Sequence, residues 1–398
     1  MYNVQIMNSL ILTLISILVG LIIGAVDTLF GRVLLAIGDI RNTNLLYCIP
    51  FLAIAGLLIV FCYTKFGGKS SKGMGQIFAV AHGEDNEIPM MLVPLVMCGT
   101  WITHLCGGSA GREGVAVQIG ATVSHWVGSK LKIENASQIM LITGMAAGFA
   151  GLFGTPMAAV AFALEVIYVG KIRYTAIMPA VFASFTAAAT SAGLGLKKFE
   201  VIIGDSYKVD LAMSGKLIVL GIVFGLAGLL FTELLKYFKG KFANLIPGSY
   251  KRIAYIGAAL SVVLYFLYSG RYCGLGTNLI SAGLMGQEIL AWDWLLKLLL
   301  TVITLSAGFQ GGEVTPLFSI GVSLGAVLAS ILGMPVQLAA ALGYIAVFGS
   351  ATNTFWAPVL IGIEVFGGAN TACYFIVCAI AFAVNRNKSI YGSQKVEF

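Results

Sequence analysis

Apolar residues run along this chain in long blocks separated by short polar breaks. The blocks cover 9–26, 45–62, 88–106, 115–127, 137–168, 174–194, 214–238, 253–268, 290–308, 314–332, 336–349, 355–367 and 371–384. A helix needs about 20 mostly apolar residues to cross a bilayer. Several blocks fall short of that, and glycine, proline and small polar residues interrupt many of them. Helix ends at membrane depth are tolerated only where protein buries them or where they line a cavity. The pattern therefore predicts an all-α, polytopic membrane protein with broken helices, the form of a transporter or channel. The first block follows an N-terminus without positive charges and has no clear cleavage site before Asp27. It reads as a helix that stays in the membrane, not as a removed signal peptide.

The blocks also repeat. Segment 144–166 (GMAAGFAGLFGTPMAAVAFALEV) aligns without gaps to 343–365 (GYIAVFGSATNTFWAPVLIGIEV), and upstream GREGVAVQIG faces GGEVTPLFSIG. The offset is close to 200 residues in both cases. Internal duplication predicts a single transmembrane domain, 1–398, made of a first repeat over 1–200 and a second over 211–398. The polar stretch FEVIIGDSYKVD joins them. Duplicated membrane halves place a transport site at their interface, near the midplane. Spacing alone leaves open whether the repeats are inverted or parallel.

Composition narrows the function. Of 398 residues, 59% are hydrophobic and 10% charged, against about 25% charged in a soluble domain. Mean hydropathy is +0.94. The net charge of +7 sits in short clusters between apolar blocks, among them Lys65/Lys69/Lys72, Lys236/Lys239/Lys241 and Lys251/Arg252. Such clusters read as cytoplasmic loops of a multi-pass protein in the cell membrane, not as a nucleic-acid surface. Seven cysteines lack any CxxC, mostly within apolar runs, and there are three histidines. No disulfide framework, metal centre or cofactor site is expected.

Two glycine-rich helix starts each carry an acid. GGSAGREGVAVQIG, 107–120, puts Glu113 in a first turn, where free N–H groups and the helix dipole form an anion site. An ionised Glu113 would fill that site and a protonated one would vacate it, so proton and anion would compete for one position. GFQGGEVTPLFSIG, 308–321, places Glu313 in the corresponding turn. Two such carboxylates brought together would favour one retaining a proton, which suits a proton relay. The ordinary alternative is a pair of acids that only stabilise their helix starts. Ser109 lies in a G-x-S-x-G match, which can mark a hydrolase nucleophile. Lacking a preceding strand and with few histidines, it reads as small-residue packing, and the chain as no enzyme. SSKGMGQIF, 70–78, offers a further helix end at Met74. Tyr391, among polar residues after the last block, reads on its own as an interfacial aromatic anchor.

Taken together and in this order, these segments resemble the CLC family of chloride channels and chloride/proton antiporters over nearly the whole chain. GREG followed by VQIG is similar to the family's GREGP segment, whose glutamate is the external gate; Glu113 takes that position. GGEVTP falls where the family has GxFxP, GMG where it has GSGIP, and Tyr391 matches the tyrosine lining the anion path. The resemblance implies two inverted repeats of tilted and broken helices and a homodimer in membrane lipid. Departures point to one branch. Met74 replaces the anion-binding serine, Val115 the proline after GREG, and Glu313, Val314 and Thr315 stand within GxFxP. Val166 occupies the position where proton-coupled chloride members often carry an internal glutamate. These departures resemble the fluoride-exporting CLC-F antiporters. The resemblance implies exchange of fluoride, with chloride weaker, against protons. Glu113 and Glu313 would gate and transfer protons, and Arg112, Gly114, Met74, Val314, Thr315 and Tyr391 would line the anion path. A chloride/proton exchanger or a passive anion channel is the alternative within the family.

Overall fold

The structure, a computed structural model, describes residues 2–397, with side chains from residue 7 onward. Helices follow the apolar blocks: α1 (Tyr2–Thr43), α2 (Leu45–Cys48), α3 (Leu52–Cys62), α4 (Met74–Ala81), α5 (Leu92–Leu105), α6 (Glu113–Ser129), α7 (Ala136–Phe153), α8 (Pro156–Glu165), α9 (Ile177–Gly193), α10 (Leu211–Leu245), α11 (Ser249–Phe266), α12 (Thr277–Leu284), α13 (Asp293–Ala307), α14 (Val314–Leu332), α15 (Val336–Thr352), α16 (Trp356–Phe366) and α17 (Thr371–Val384). Six helical stretches among the described residues are long and apolar enough to cross a membrane. Others, such as α8 and α16, span about half a bilayer at 1.5 Å per residue.

Helix α1 runs well past the predicted apolar block. Polar residues interrupt the hydropathy without ending the helix, because none is a breaker and the fold absorbs them. Asp27 is fully buried against Gly151 of α7, and Arg32 donates to the Leu194 carbonyl at 3.3 Å. The block 137–168 splits in two where Gly154 adopts φ +86° and Pro156 opens α8, the positions where glycine ends and proline begins a helix.

Two helix pairs pack backbone to backbone. A Cβ on Gly120 or Gly144 would strike the other's carbonyl group, which brings α6 and α7 into direct contact. Gly321 and Gly343 do the same for α14 and α15. Close approach of this kind lets van der Waals packing hold helices together where lipid removes the hydrophobic drive. The series α6–α7–α8 is thus matched in order and packing by α14–α15–α16. The joining segment, 199–210, is extended and pairs with the end of α16 through Val201 N–H to Val365 O (3.0 Å) and Ile203 N–H to Phe366 O (2.9 Å).

The tail was not foreseen as it folds. After α17, Ile390 N–H bonds the Ala351 carbonyl at 2.9 Å, and Gln394 Nε2 donates to Val166 O and Thr352 O. Lys395–Val396 then adds a two-residue parallel ladder to Tyr168–Val169. This return carries Tyr391 into the core, where it is 5% exposed. An interfacial anchor is therefore not what Tyr391 is, and its burial follows from tertiary hydrogen bonds that the local sequence does not reveal.

Lysine clusters gather on one face. α3 and α11 lie antiparallel, with Gly56 beside Ile253, Gly257 beside Ala53, and Ser261 Oγ bonded to Ile49 O. The Lys65–Lys72 segment, the end of α10 and the start of α11 therefore share a face. The end of α1, α2 and the segment Tyr268–Gly276 lie on the opposite face.

Candidate functional site

The site forms where the two glycine-rich segments meet. Gly111 and Gly312 pair as an isolated antiparallel bridge, with N–H···O distances of 2.5 and 2.8 Å. A Cβ on Gly111 would lie 2.8 Å from Pro316 Cδ and 2.9 Å from Gly312 O, so glycine is required for this approach. The bridge brings the starts of α6 and α14 face to face.

Glu113 is the first residue of α6 and is fully buried. Its Oε2 accepts the Thr315 backbone N–H at 3.1 Å and the Thr315 hydroxyl. The Arg112 N–H lies 3.4 Å away, and Arg112 Nε lies 3.5 Å from Oε1. The carboxylate of one helix start thus sits on the first turn of the other, where free N–H groups and the helix dipole favour negative charge. Arg112 is itself buried and its Nη1 has no hydrogen-bond partner.

Glu313 holds the N-cap position of α14 without a capping bond from its side chain and is half-buried. Its Oε2 lies 3.5 Å from the place a Cβ on Gly114 would occupy, so each glutamate reaches toward the other's helix. Val314 and Thr315 follow it, both buried.

A cavity of about 350 Å3 opens on the lysine-rich face. Met74 at the start of α4, Gln118, Glu313 and Tyr391 line it, and the exposed Lys72 and Lys239 stand at its mouth. Glu113 is not part of its wall and lies deeper. Tyr391 stacks on Phe78, with ring centroids 5.5 Å apart, and its buried hydroxyl has no partner. The residues expected from the sequence, Glu113, Glu313, Arg112, Gly114, Met74, Val314, Thr315 and Tyr391, thus converge on one region.

The sequence reading missed several polar groups beside it. Lys297 in α13 is fully buried and donates to Ser109 Oγ at 2.9 Å; Ser109 also bonds Thr301 Oγ1 at 2.8 Å. A lysine isolated inside the apolar block 290–308 was the available signal. Ser109 is likewise fully buried, follows helix α5, not a strand, and its hydroxyl is engaged by Lys297 and Thr301. Gln118, inside VQIG, and Lys239, inside a lysine cluster, were visible in the sequence but not as neighbours of this site. The described cysteines are all unpaired; Cys106, Cys273, Cys373 and Cys378 are buried, Cys48 and Cys62 half-buried and Cys98 exposed.

Known proteins agree with this architecture. The family model described as voltage gated chloride channel matches residues 55–386. A protein of Pseudomonas syringae pv. tomato named chloride/fluoride channel protein is 34% identical over 386 residues, covering 95% of this chain and 85% of that one. The H(+)/Cl(-) exchange transporter ClcA of Yersinia pseudotuberculosis is 24% identical over 337 residues, 79% of this chain and 70% of that one. A crystal structure of a CLC-type fluoride/proton antiporter superposes with a TM-score of 0.96 at 48% identity, covering 97% of this chain and 98% of that one. A slow cyanobacterial Cl-/H+ antiporter shares the fold, with a TM-score of 0.81 at 20% identity, over 96% of each chain.

The fold and site define a multi-pass membrane protein of an anion-transport class. The chain belongs to the voltage-gated chloride channel (CLC) family and has its fold, all-α with two inverted repeats of tilted and broken membrane helices.

Proposed function

We propose that this protein exports fluoride in exchange for protons, with Glu113 as the proton-dependent gate. One observation carries the reading: the Glu113 carboxylate occupies the anion seat on the first turn of α14, held by the Thr315 N–H and hydroxyl. An ionised carboxylate and a small anion need the same donors. A proton on Glu113 removes its charge and weakens its hold on them, so the seat opens to the anion. Anion passage is thereby tied to proton loading of one residue.

Fluoride is small and strongly hydrated, and leaving water is costly unless firm donors replace it. The Thr315 hydroxyl and N–H are such donors. The unpartnered Tyr391 hydroxyl and Arg112 Nη1 are two more. Gly114 keeps the α6 start free of side chain, and Met74 and Val314 present no hydroxyl of their own. Glu313, on the cavity wall beside Gly114, is the second proton-carrying group. The crystal structure that matches at 48% identity is described as a fluoride/proton antiporter, which supports this choice of ions.

The lysine-rich face is cytoplasmic by the positive-inside rule. Fluoride then enters from the 350 Å3 cavity and leaves on the opposite face of the cell membrane as protons move inward. The repeats comprise 1–200 and 211–398, supported by the matched series α6–α8 and α14–α16. The working unit is a homodimer in lipid, each subunit with its own path.

The test is flux from liposomes holding the purified protein, with anion release and proton uptake followed together. Coupled fluoride release that stops in Glu113→Gln is expected. Fluoride release without proton movement refutes antiport. Relatives named as a chloride/fluoride channel and as H(+)/Cl(-) exchangers keep a second reading in view, a chloride/proton exchanger or passive anion channel. Chloride release faster than fluoride would select it.

A further inference from the structure

On the face opposite the lysine clusters, a cavity of about 340 Å3 lies between the end of α1, the end of α5 and the segment 269–278. Two basic side chains are buried in and behind its wall. Arg41 is 7% exposed, and its guanidinium donates to Asn42 Oδ1 (2.8 and 3.2 Å) and to the His104 carbonyl (3.3 Å). Lys297 is fully buried and donates to Ser109 Oγ (2.9 Å), Tyr272 O (3.0 Å) and Gly274 O (2.7 Å). All these acceptors are neutral. Arg271, which also lines the cavity, is already paired with Asp293 at 2.7 Å. Asp39, also lining it, is exposed and forms no ion pair among the described residues.

A third group points the same way. His104 lines the cavity, is 2% exposed, and its Nε2 has no hydrogen-bond partner; with the proton on Nε2 it supplies a further N–H donor. The loop is built around the arginine: Gly274 has φ +62°, and a Cβ there would overlap Arg41 Nη1. A buried guanidinium bonded only to neutral acceptors is costly unless an anion completes it. Gly274 also pairs with the turn that leads into Glu113, donating its N–H to Gly108 O (3.1 Å) and accepting the Ala110 N–H (3.3 Å), so the loop that lines the cavity abuts that turn.

We infer that this cavity is an outward-facing anion site, separate from the Glu113–Glu313 path, for a small hydrated monovalent anion of the halide class. A water occupies roughly 30 Å3 in the liquid, so 340 Å3 has room for the ion together with its first shell of water. An ion that keeps its water is poorly discriminated by size. Chloride therefore occupies this site as readily as fluoride, unlike the dehydrating seat on α14. The inference rests on charge and burial alone and does not depend on the antiport reading.

The test is calorimetric titration of chloride into the purified full-length protein in chloride-free detergent buffer. A saturable component is expected in wild type and in Glu313→Gln. It should weaken about tenfold or more in Arg41→Gln, as loss of a charge-assisted hydrogen bond implies. Thr277→Asp is the second variant. Thr277 is exposed at the start of α12 and lines the cavity, where an acid suits the helix end and leaves folding intact. It should weaken chloride binding by repulsion, and it decides alone if Arg41→Gln fails to fold. No saturable chloride binding in wild type, unchanged binding in the variants, or loss of the component in Glu313→Gln would each overturn the site. Fluoride and proton flux play no part in the readout.

Discussion

Glu165 and Glu364 close each other's helices. Glu165, the last residue of α8, accepts the N–H groups of Phe355 (3.2 Å), Trp356 (3.1 Å) and Ala357 (2.8 Å) at the start of α16. Glu364, in the last turn of α16, accepts those of Met157 (3.0 Å) and Ala158 (2.9 Å) at the start of α8. Each carboxylate satisfies free N–H groups and meets the positive end of a helix dipole. Glu165 is thereby committed to structure, and Val166 beside it carries no acid. Glu165→Ala should cost about 1–2 kcal/mol, read as a lower unfolding temperature in detergent, with the ratio of protons to fluoride unchanged. Lost coupling at unchanged stability would instead place Glu165 on the proton route.

Thr315 gives Glu113 two donors, one from the backbone and one from the side chain. Only the second can be removed by substitution. Thr315→Val keeps shape and volume and deletes the hydroxyl. Fluoride exchange should fall about tenfold, the scale of one hydrogen bond to a charged group, and Thr315→Ser should restore most of it. Equal initial rates for Thr315→Val and wild type would remove the hydroxyl from the anion seat.

Much of this site was legible before folding, because glycine, an acid and an apolar helix start in sequence state a local geometry. Glu113 and Glu313 stand at helix starts as expected; that those starts meet, through the Gly111–Gly312 bridge, was a condition of the sequence reading and is visible only in the fold. What the sequence could not display depends on distant partners. Tyr391 reads as an anchor until the tail bonds to Ala351 and Val166. The Glu165–Glu364 exchange joins residues about one repeat apart. Lys297 was visible as a charge in an apolar block, but its acceptors, Tyr272 and Gly274, lie in a loop whose course hydropathy does not specify. Helix ends were the least legible, since α1 continues through Asp27 and Arg32.

Backbone contact between Gly321 and Gly343 sets the distance between α14 and α15. A methyl at Gly343 meets the Gly321 carbonyl, and backbone cannot rotate away as a side chain can. Gly343→Ala should therefore destabilise by at least the 1–3 kcal/mol typical of overpacking, with lower yield and melting temperature. Gly193→Ala, at the end of α9 with nothing near its absent Cβ, is the control and should leave stability unchanged or slightly raised. Equal melting temperatures for the two variants would show that α14 and α15 can separate freely.

Tyr391→Phe separates a packing role from a binding role. The ring is buried and stacked on Phe78, and phenylalanine preserves that contact. The hydroxyl has no hydrogen-bond partner in the protein, so its removal breaks no internal bond. A purely structural tyrosine with a satisfied hydroxyl would lose about 1 kcal/mol on this change. Here stability should hold or rise, since an unmet buried polar group is lost. Fluoride affinity should fall about tenfold if the hydroxyl donates to the ion. Thermal unfolding with and without fluoride reads both quantities in one experiment, because a ligand that binds the folded state stabilises it by RT ln(1 + [L]/Kd). Tyr391→Phe should melt no lower than wild type without fluoride and show a smaller upward shift with it. An undiminished shift would take Tyr391 off the anion path and leave it a core residue.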